Sequence, residues 1–163
     1  MSTEVKLVDY SNPVQAAELA ELMNVYATDE MGGGEALPQQ VLDTLAARMG
    51  QRPHIHSAIA YVDDVPAGLI NYLEGFSTFK AQPLLNVHDV VVKSEYRGQG
   101  LSRQLFEFVF AAAKELGCCK VTLEVLEANE VAKRVYARFG FAPYTLSESG
   151  GVAQFWQKPI TSN

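Results

Sequence analysis

The residues best suited to chemistry are Arg97-Gly98-Gln99-Gly100-Leu101-Ser102, which come soon after the β-branched run Val90-Val91-Val92. From Leu101 to Leu116 apolar side chains fall at 101, 105, 108, 109, 112 and 116, the spacing of an amphipathic helix. Gly98 and Gly100 remove side chains where the backbone must turn, so its N–H groups can approach a ligand closely. The first N–H groups of a helix lack partners, and the dipole there favours negative charge. Strand, turn and helix together make a cradle for a phosphate or pyrophosphate. Gly98-Gln99-Gly100-Leu101-Ser102-Arg103 lacks the third glycine of a dinucleotide fingerprint, and no Gly-Lys-Ser/Thr completes a P-loop.

The turn does match Arg/Gln-x-x-Gly-x-Gly/Ala, read from Arg97 to Ser102, with serine where glycine or alanine is usual. A second motif, Asn129-Glu130-Val131-Ala132-Lys133-Arg134-Val135-Tyr136, runs on through Ala137-Arg138-Phe139 to Gly140-Phe141. In that order and spacing the two resemble the hallmarks of the GNAT superfamily of N-acetyltransferases, and the likeness extends roughly from Val5 to Lys158.

The resemblance implies acetyl-coenzyme A as co-substrate and no metal. Its pyrophosphate would sit on Arg97, Gly98, Gln99, Gly100, Leu101 and Ser102. The pantetheine arm would lie along Val90, Val91 and Val92 like an added strand, with the Val90 N–H facing the thioester oxygen. Asn129 and Ala132 would border the cofactor, although Asn129 is also a fitting helix cap. Tyr136 would be the general acid that protonates the departing thiolate. It shares a helical face with Ala132, Val135 and Phe139, so packing is its competing role. Ser102 keeps its backbone N–H and adds a hydroxyl, which is compatible with phosphate binding. Arg97, Arg103 or Lys133 could add charge-assisted contacts.

Two carboxylates are candidates for the base. Glu124 lies inside Val121-Thr122-Leu123-Glu124-Val125-Leu126, whose neighbours read as a buried strand. A glutamate there is costly unless it faces a cleft, and burial would make it a better proton acceptor. Asp89 stands in the strand-like Leu85-Asn86-Val87-His88-Asp89-Val90-Val91, where His88 and Asp89 point to opposite faces. The base is therefore Glu124, Asp89 or a water chain. His54 and His56 lack a third ligand, so no metal site is expected.

The resemblance puts the acceptor pocket at the first two helices, their loop, and the loop before the central strand. The residues there include Tyr26, Asp29, Glu30, Glu35, Glu74, Phe76, Ser77, Thr78 and Phe79. Acidic and aromatic groups together suit an ammonium substrate, a small-molecule or peptide amine.

The elements needed to position these residues are read from periodicity and breakers. Strands are expected at 4–9, 54–62, 66–76, 84–93, 119–126, 141–147 and 152–158, with helices at 13–28, 38–49, 101–116 and 130–139. Asp63-Asp64 makes a hairpin, and Gly117 and Gly140 stop their helices. The alternation predicts an α/β (α+β) fold of GNAT type, a mixed sheet of about seven strands flanked by about four helices, in one domain over 1–163. The chain has 163 residues, 48% of them apolar, enough for one real core. Met1 to Lys6 carries no apolar signal region, and no run reaches membrane-spanning length. A net charge of −6 argues against nucleic acid as a partner. Adjacent Cys118 and Cys119 fit a reducing, cytoplasmic setting. Phe155 and Trp156 would suit a homodimer through the C-terminal strands, or simply a core.

The expected function is acetyl transfer to a primary amine within a ternary complex, because no serine or cysteine stands out as an acyl carrier. A non-catalytic acyl-coenzyme A sensor, or an acyltransferase using a longer acyl group, is the alternative.

Overall fold

The computed structural model describes residues 1–161, beginning with β1 (Thr3–Leu7), α1 (Pro13–Thr28) and a 3-10 turn at Glu30–Gly32. Next come α2 (Gln39–Gly50), β2 (Ile55–Val62), β3 (Val65–Ser77) and β4 (Gln82–Val92). A second 3-10 turn, Ser94–Tyr96, leads to α3 (Leu101–Glu115), β5 (Val121–Leu123) and α4 (Glu130–Arg138). Two compact units make up the chain, one from Met1 to Leu123 and the other from Glu124 onward.

In the first unit the strands form one mixed sheet in the order β1-β2-β3-β4-β5, antiparallel except for the parallel β4–β5 pair. This is the expected α/β architecture, with five strands in place of seven. Asn12 caps α1 by accepting from the N–H groups of Val14 and Gln15, and Pro13 opens the helix where a missing N–H costs nothing. Leu19 and Leu22 of α1 pack with Val8, Ile59, Tyr61, Leu69 and Val91 into one core. Leu101, Leu105, Phe106 and Val109 of α3 are buried on the opposite face. Strand alternation requires this: Leu69 faces α1, whereas a Cβ on neighbouring Gly68 would lie 3.3 Å from Leu105. Each fully buried leucine contributes about 1.5–3 kcal/mol.

One irregularity interrupts the ladder between β3 and β4. Asn71 of β3 pairs with Asp89 and Tyr72 with Val87, so His88 is an extra residue bulging from β4. The parallel ladder with β5 covers only Leu85, Asn86 and Val87. Beyond the bulge, β4 is paired on its β3 side, and among the described residues no strand pairs its other side.

The strand expected over 119–126 is correspondingly short, ending at Leu123. Its ladder with β4 stops at Val87, and Leu126 is drawn into a turn in which its carbonyl accepts from the Asn129 N–H at 2.9 Å. The strands expected at 141–147 and 152–158 are not formed. A single bridge joins Thr145 and Val152, with the Ala153 N–H donating to the Tyr144 carbonyl at 2.8 Å. Such a ribbon lacks the third strand or packed helix that stabilises a hairpin, and Phe155 and Trp156 are exposed. Among the described residues no helix is long and apolar enough to cross a membrane.

Candidate active site

Gly98 and Gly100 both adopt left-handed backbone, at φ 76° and 79°. A Cβ at either would meet nothing within 4 Å, so the turn needs glycine for its conformation, and the space above it stays open. Gly100 caps α3 without any side-chain hydrogen bond, which leaves first-turn N–H groups directed at that space. A tetrahedral anion fits such a cradle. β4 ends at Val92, and the Ser94–Tyr96 turn joins it to this glycine turn. Val91 is buried in the core, whereas Val90 and Val92 are half-buried.

Arg97 has more to do than meet an anion. Its Nη2 donates to Asp29 Oδ2 at 3.1 Å, and its Nε donates to the Val92 carbonyl at 3.2 Å. The glycine turn is thereby tied to the loop after α1. The Asp29 carboxyl lies below its ordinary range, held there first by the Met31 N–H and then by Arg97. Lys93 makes a second tie to α1, with Nζ 2.6 Å from Glu21 Oε1.

Asp89 stands just past the bulge, half-buried, and its Oδ2 accepts from Asn71 Nδ2 at 3.0 Å. Tyr26 of α1 is nearby. Burial raises the Tyr26 pKa first, and the charges of Asp89 and then Asp29 push it further. Asp89 and Tyr26 are therefore brought to one place, with Glu30 exposed in the 3-10 turn that succeeds Asp29. His88 is exposed in the bulge. Phe76 and Phe79 lie elsewhere. They are 62% and 81% exposed near the tip of the β3–β4 hairpin. Phe76 is five residues along β3 from Asn71, roughly 17 Å at strand rise.

In the second unit Asn129 caps α4, its Oδ1 accepting from the Ala132 N–H at 3.1 Å. Lys133 Nζ donates to the Glu127 carbonyl at 2.8 Å and pairs with Glu130 at 2.7 Å. Tyr136 is half-buried on the face it shares with Ala132, Val135 and Phe139, and its ring meets Phe141 edge-on at 6.2 Å. Gly140 ends the helix at φ 94°. Glu124 departs from expectation: it comes just after the end of β5 and is exposed, not enclosed in a strand.

Sequence reasoning overlooked Asn71 and Ser57. The available signal was Asn71 inside the apolar run Ala67–Leu73 and Ser57 at the head of the apolar run Ala58–Val62, since a buried amide or hydroxyl must have a partner. A shallow depression of about 600 Å³ beside Tyr10, Arg52 and His56 holds none of the residues chosen for chemistry.

A profile of the acetyltransferase (GNAT) family matches residues 19–141. Over 107 residues the chain is 30% identical to the thialysine N-epsilon-acetyltransferase of Bos taurus, a match covering 61% of this chain and 62% of that protein's length. Ribosomal-protein-alanine N-acetyltransferase from Brucella melitensis biovar Abortus 2308 superimposes with a TM-score of 0.72 at 18% identity, covering 99% of both chains. AAC(6')-Iy, solved with the bisubstrate analogue CoA-S-monomethyl-acetylneamine, gives 0.75 at 17% identity over 98% of this chain and 100% of that one. At these identities the structural likeness is one of fold.

Proposed function

Because this chain belongs to the acetyltransferase (GNAT) family, we propose that it moves an acetyl group from acetyl-coenzyme A to a primary amine. The carrying observation is the pairing of β4, which among the described residues meets β5 only along Leu85–Val87 and continues, without a second strand partner, to Val92 just before the Gly98–Gly100 cradle. An extended amide-bearing chain ending in a pyrophosphate matches that edge and cradle. Val90, Val91 and Val92 would hold the pantetheine arm by backbone hydrogen bonds. Arg97 to Ser102 would hold the pyrophosphate, with Asn129 and Ala132 bordering the cofactor.

Transfer is direct. Asp89 takes the proton that makes the ammonium a nucleophile, or passes it to water. The amine nitrogen forms its bond to the acetyl carbon as the carbon–sulfur bond breaks. The Val90 N–H donates to the carbonyl oxygen as its charge grows. Tyr136 gives its proton to the departing sulfur, and the second proton of the amine nitrogen leaves through water, which restores Tyr136. Glu124, exposed just past the end of β5, is the alternative base. The acceptor is an ammonium-bearing small molecule or peptide, drawn by Glu30, Tyr26 and the net charge of −6. The bovine relative's thialysine makes lysine-like amines the first to try.

The test is acetyl-coenzyme A-dependent thiol release against lysine analogues, polyamines, peptides and aminoglycosides, with calorimetric cofactor titration alongside. Turnover with one amine class is the expected result. Binding without turnover on the whole panel would favour a sensor, and no binding would overturn the reading.

A further inference from the structure

Asn71 is 4% exposed in the middle of β3, and Ser57 is wholly buried in β2 beside it. The Ser57 Oγ donates to Asn71 Oδ1 at 2.6 Å and lies 2.8 Å from the Tyr10 hydroxyl. Asn71 Nδ2 donates to Asp89 Oδ2 at 3.0 Å and to Met23 Sδ at 3.2 Å. The direction of this chain is forced. An amide oxygen only accepts, so the one Ser57 proton is committed to Asn71, and the Ser57 oxygen must accept from Tyr10. Turning the amide over would set its oxygen against a carboxylate oxygen, two acceptors facing each other. Every donor therefore points toward Asp89.

Two buried polar residues on adjacent strands could have been alanine or valine without leaving a gap in the ladder. Their last link leads out of the core, to a half-buried carboxylate beside Tyr26 and just past the bulge. We propose that Tyr10, Ser57 and Asn71 form a positioning chain. It holds Asp89 by Oδ2 in one orientation, so that Oδ1 meets the acceptor amine and takes its proton. The inference rests on the reading of Asp89 as base. Asn71 touches neither substrate and is a positioning residue.

The experiment uses the full chain, with Asn71→Ala, Ser57→Ala, Asp89→Asn and the Asn71→Ala/Asp89→Asn double variant. Thermal unfolding checks that each folds, and Ser57→Ala carries the test if Asn71→Ala does not. The first readout is independent of turnover: three-bond couplings that report the Asp89 side-chain rotamer. Wild type should show one rotamer, and both single chain variants an average of several. The second readout is kinetic. Asn71→Ala should lower kcat about tenfold, with the amine KM and coenzyme A affinity changed by less than about twofold. In the Asp89→Asn background the same change should cost less than about twofold, because nothing remains to be positioned. A single Asp89 rotamer retained in Asn71→Ala, a loss confined to KM, or additive losses would each overturn the chain. Full turnover in Asp89→Asn would instead sink the reading of Asp89 as base, and the positioning role with it.

Discussion

At the residue level, Asp29 and Arg97 illustrate how a single contact reassigns a side chain. Arg97 reads as a phosphate ligand from its motif, yet it also fastens the loop after α1 through Asp29. The Asp29 carboxyl titrates below its ordinary 3.8, so its contribution to stability is complete above that value and disappears as pH falls through the lower folded one. Asp29→Asn should therefore be less stable than wild type at pH 7, with the gap closing below pH 3.8 in urea melts taken across the range. The pair faces solvent, so the gap should not exceed about 1 kcal/mol. Tyr136 gives a second test at this scale. Tyr136→Phe should lower kcat by about 10²-fold while coenzyme A affinity stays nearly unchanged. A collapse of cofactor binding with turnover of the bound complex intact would make Tyr136 a packing residue.

Among the elements, the bulge in β4 and the glycine turn after it matter most. Deleting His88 would let Val87 and Asp89 succeed one another in regular register with Tyr72 and Asn71. The straightened strand could then pair with β5 beyond Leu123, closing the edge assigned to pantetheine. The variant should fold but bind coenzyme A at least about tenfold more weakly, a difference of about 1.4 kcal/mol in titration calorimetry. Gly100→Ala should cost about 1–2 kcal/mol in denaturant midpoint analysis, since alanine resists the left-handed backbone at that turn. Helices were the most legible elements. The apolar spacing after Leu101, the Asn12 cap and the stop at Gly140 are local signals, and α1, α3 and α4 lie within a residue of where those signals put them. β5 was overextended because Val121 to Leu126 has strand composition throughout, whereas a strand lasts only as long as its neighbour offers a ladder.

For the molecule as a whole, the same dependence on partners explains residues 142–161. They alternate well enough to read as strands, but a strand needs another to pair with, and among the described residues only the Thr145–Val152 bridge is found. Hydrogen exchange should be fast along this stretch and slow in the centres of β2 and β3, whose residues are buried and paired on both sides. Protection at 144–146 and 152–154 would mean that the segment has found a strand partner, and sedimentation would reveal whether that partner is a second copy.

The local code of this chain determined the glycine turn, its helix, the cap at Asn129 and the motifs that identify the family. Each rests on backbone preferences and side-chain spacing within about a dozen residues. The tertiary structure alone decided that β4 bulges at His88, that its ladder with β5 ends at Val87, that Arg97 bonds Asp29, and that Asn71 grips Asp89. Those facts depend on strand register and on side chains far apart in the chain, such as Ser57, Asn71 and Asp89. Hydrogen bonds across strands are chosen by which residues face each other, and no window of local sequence carries that information.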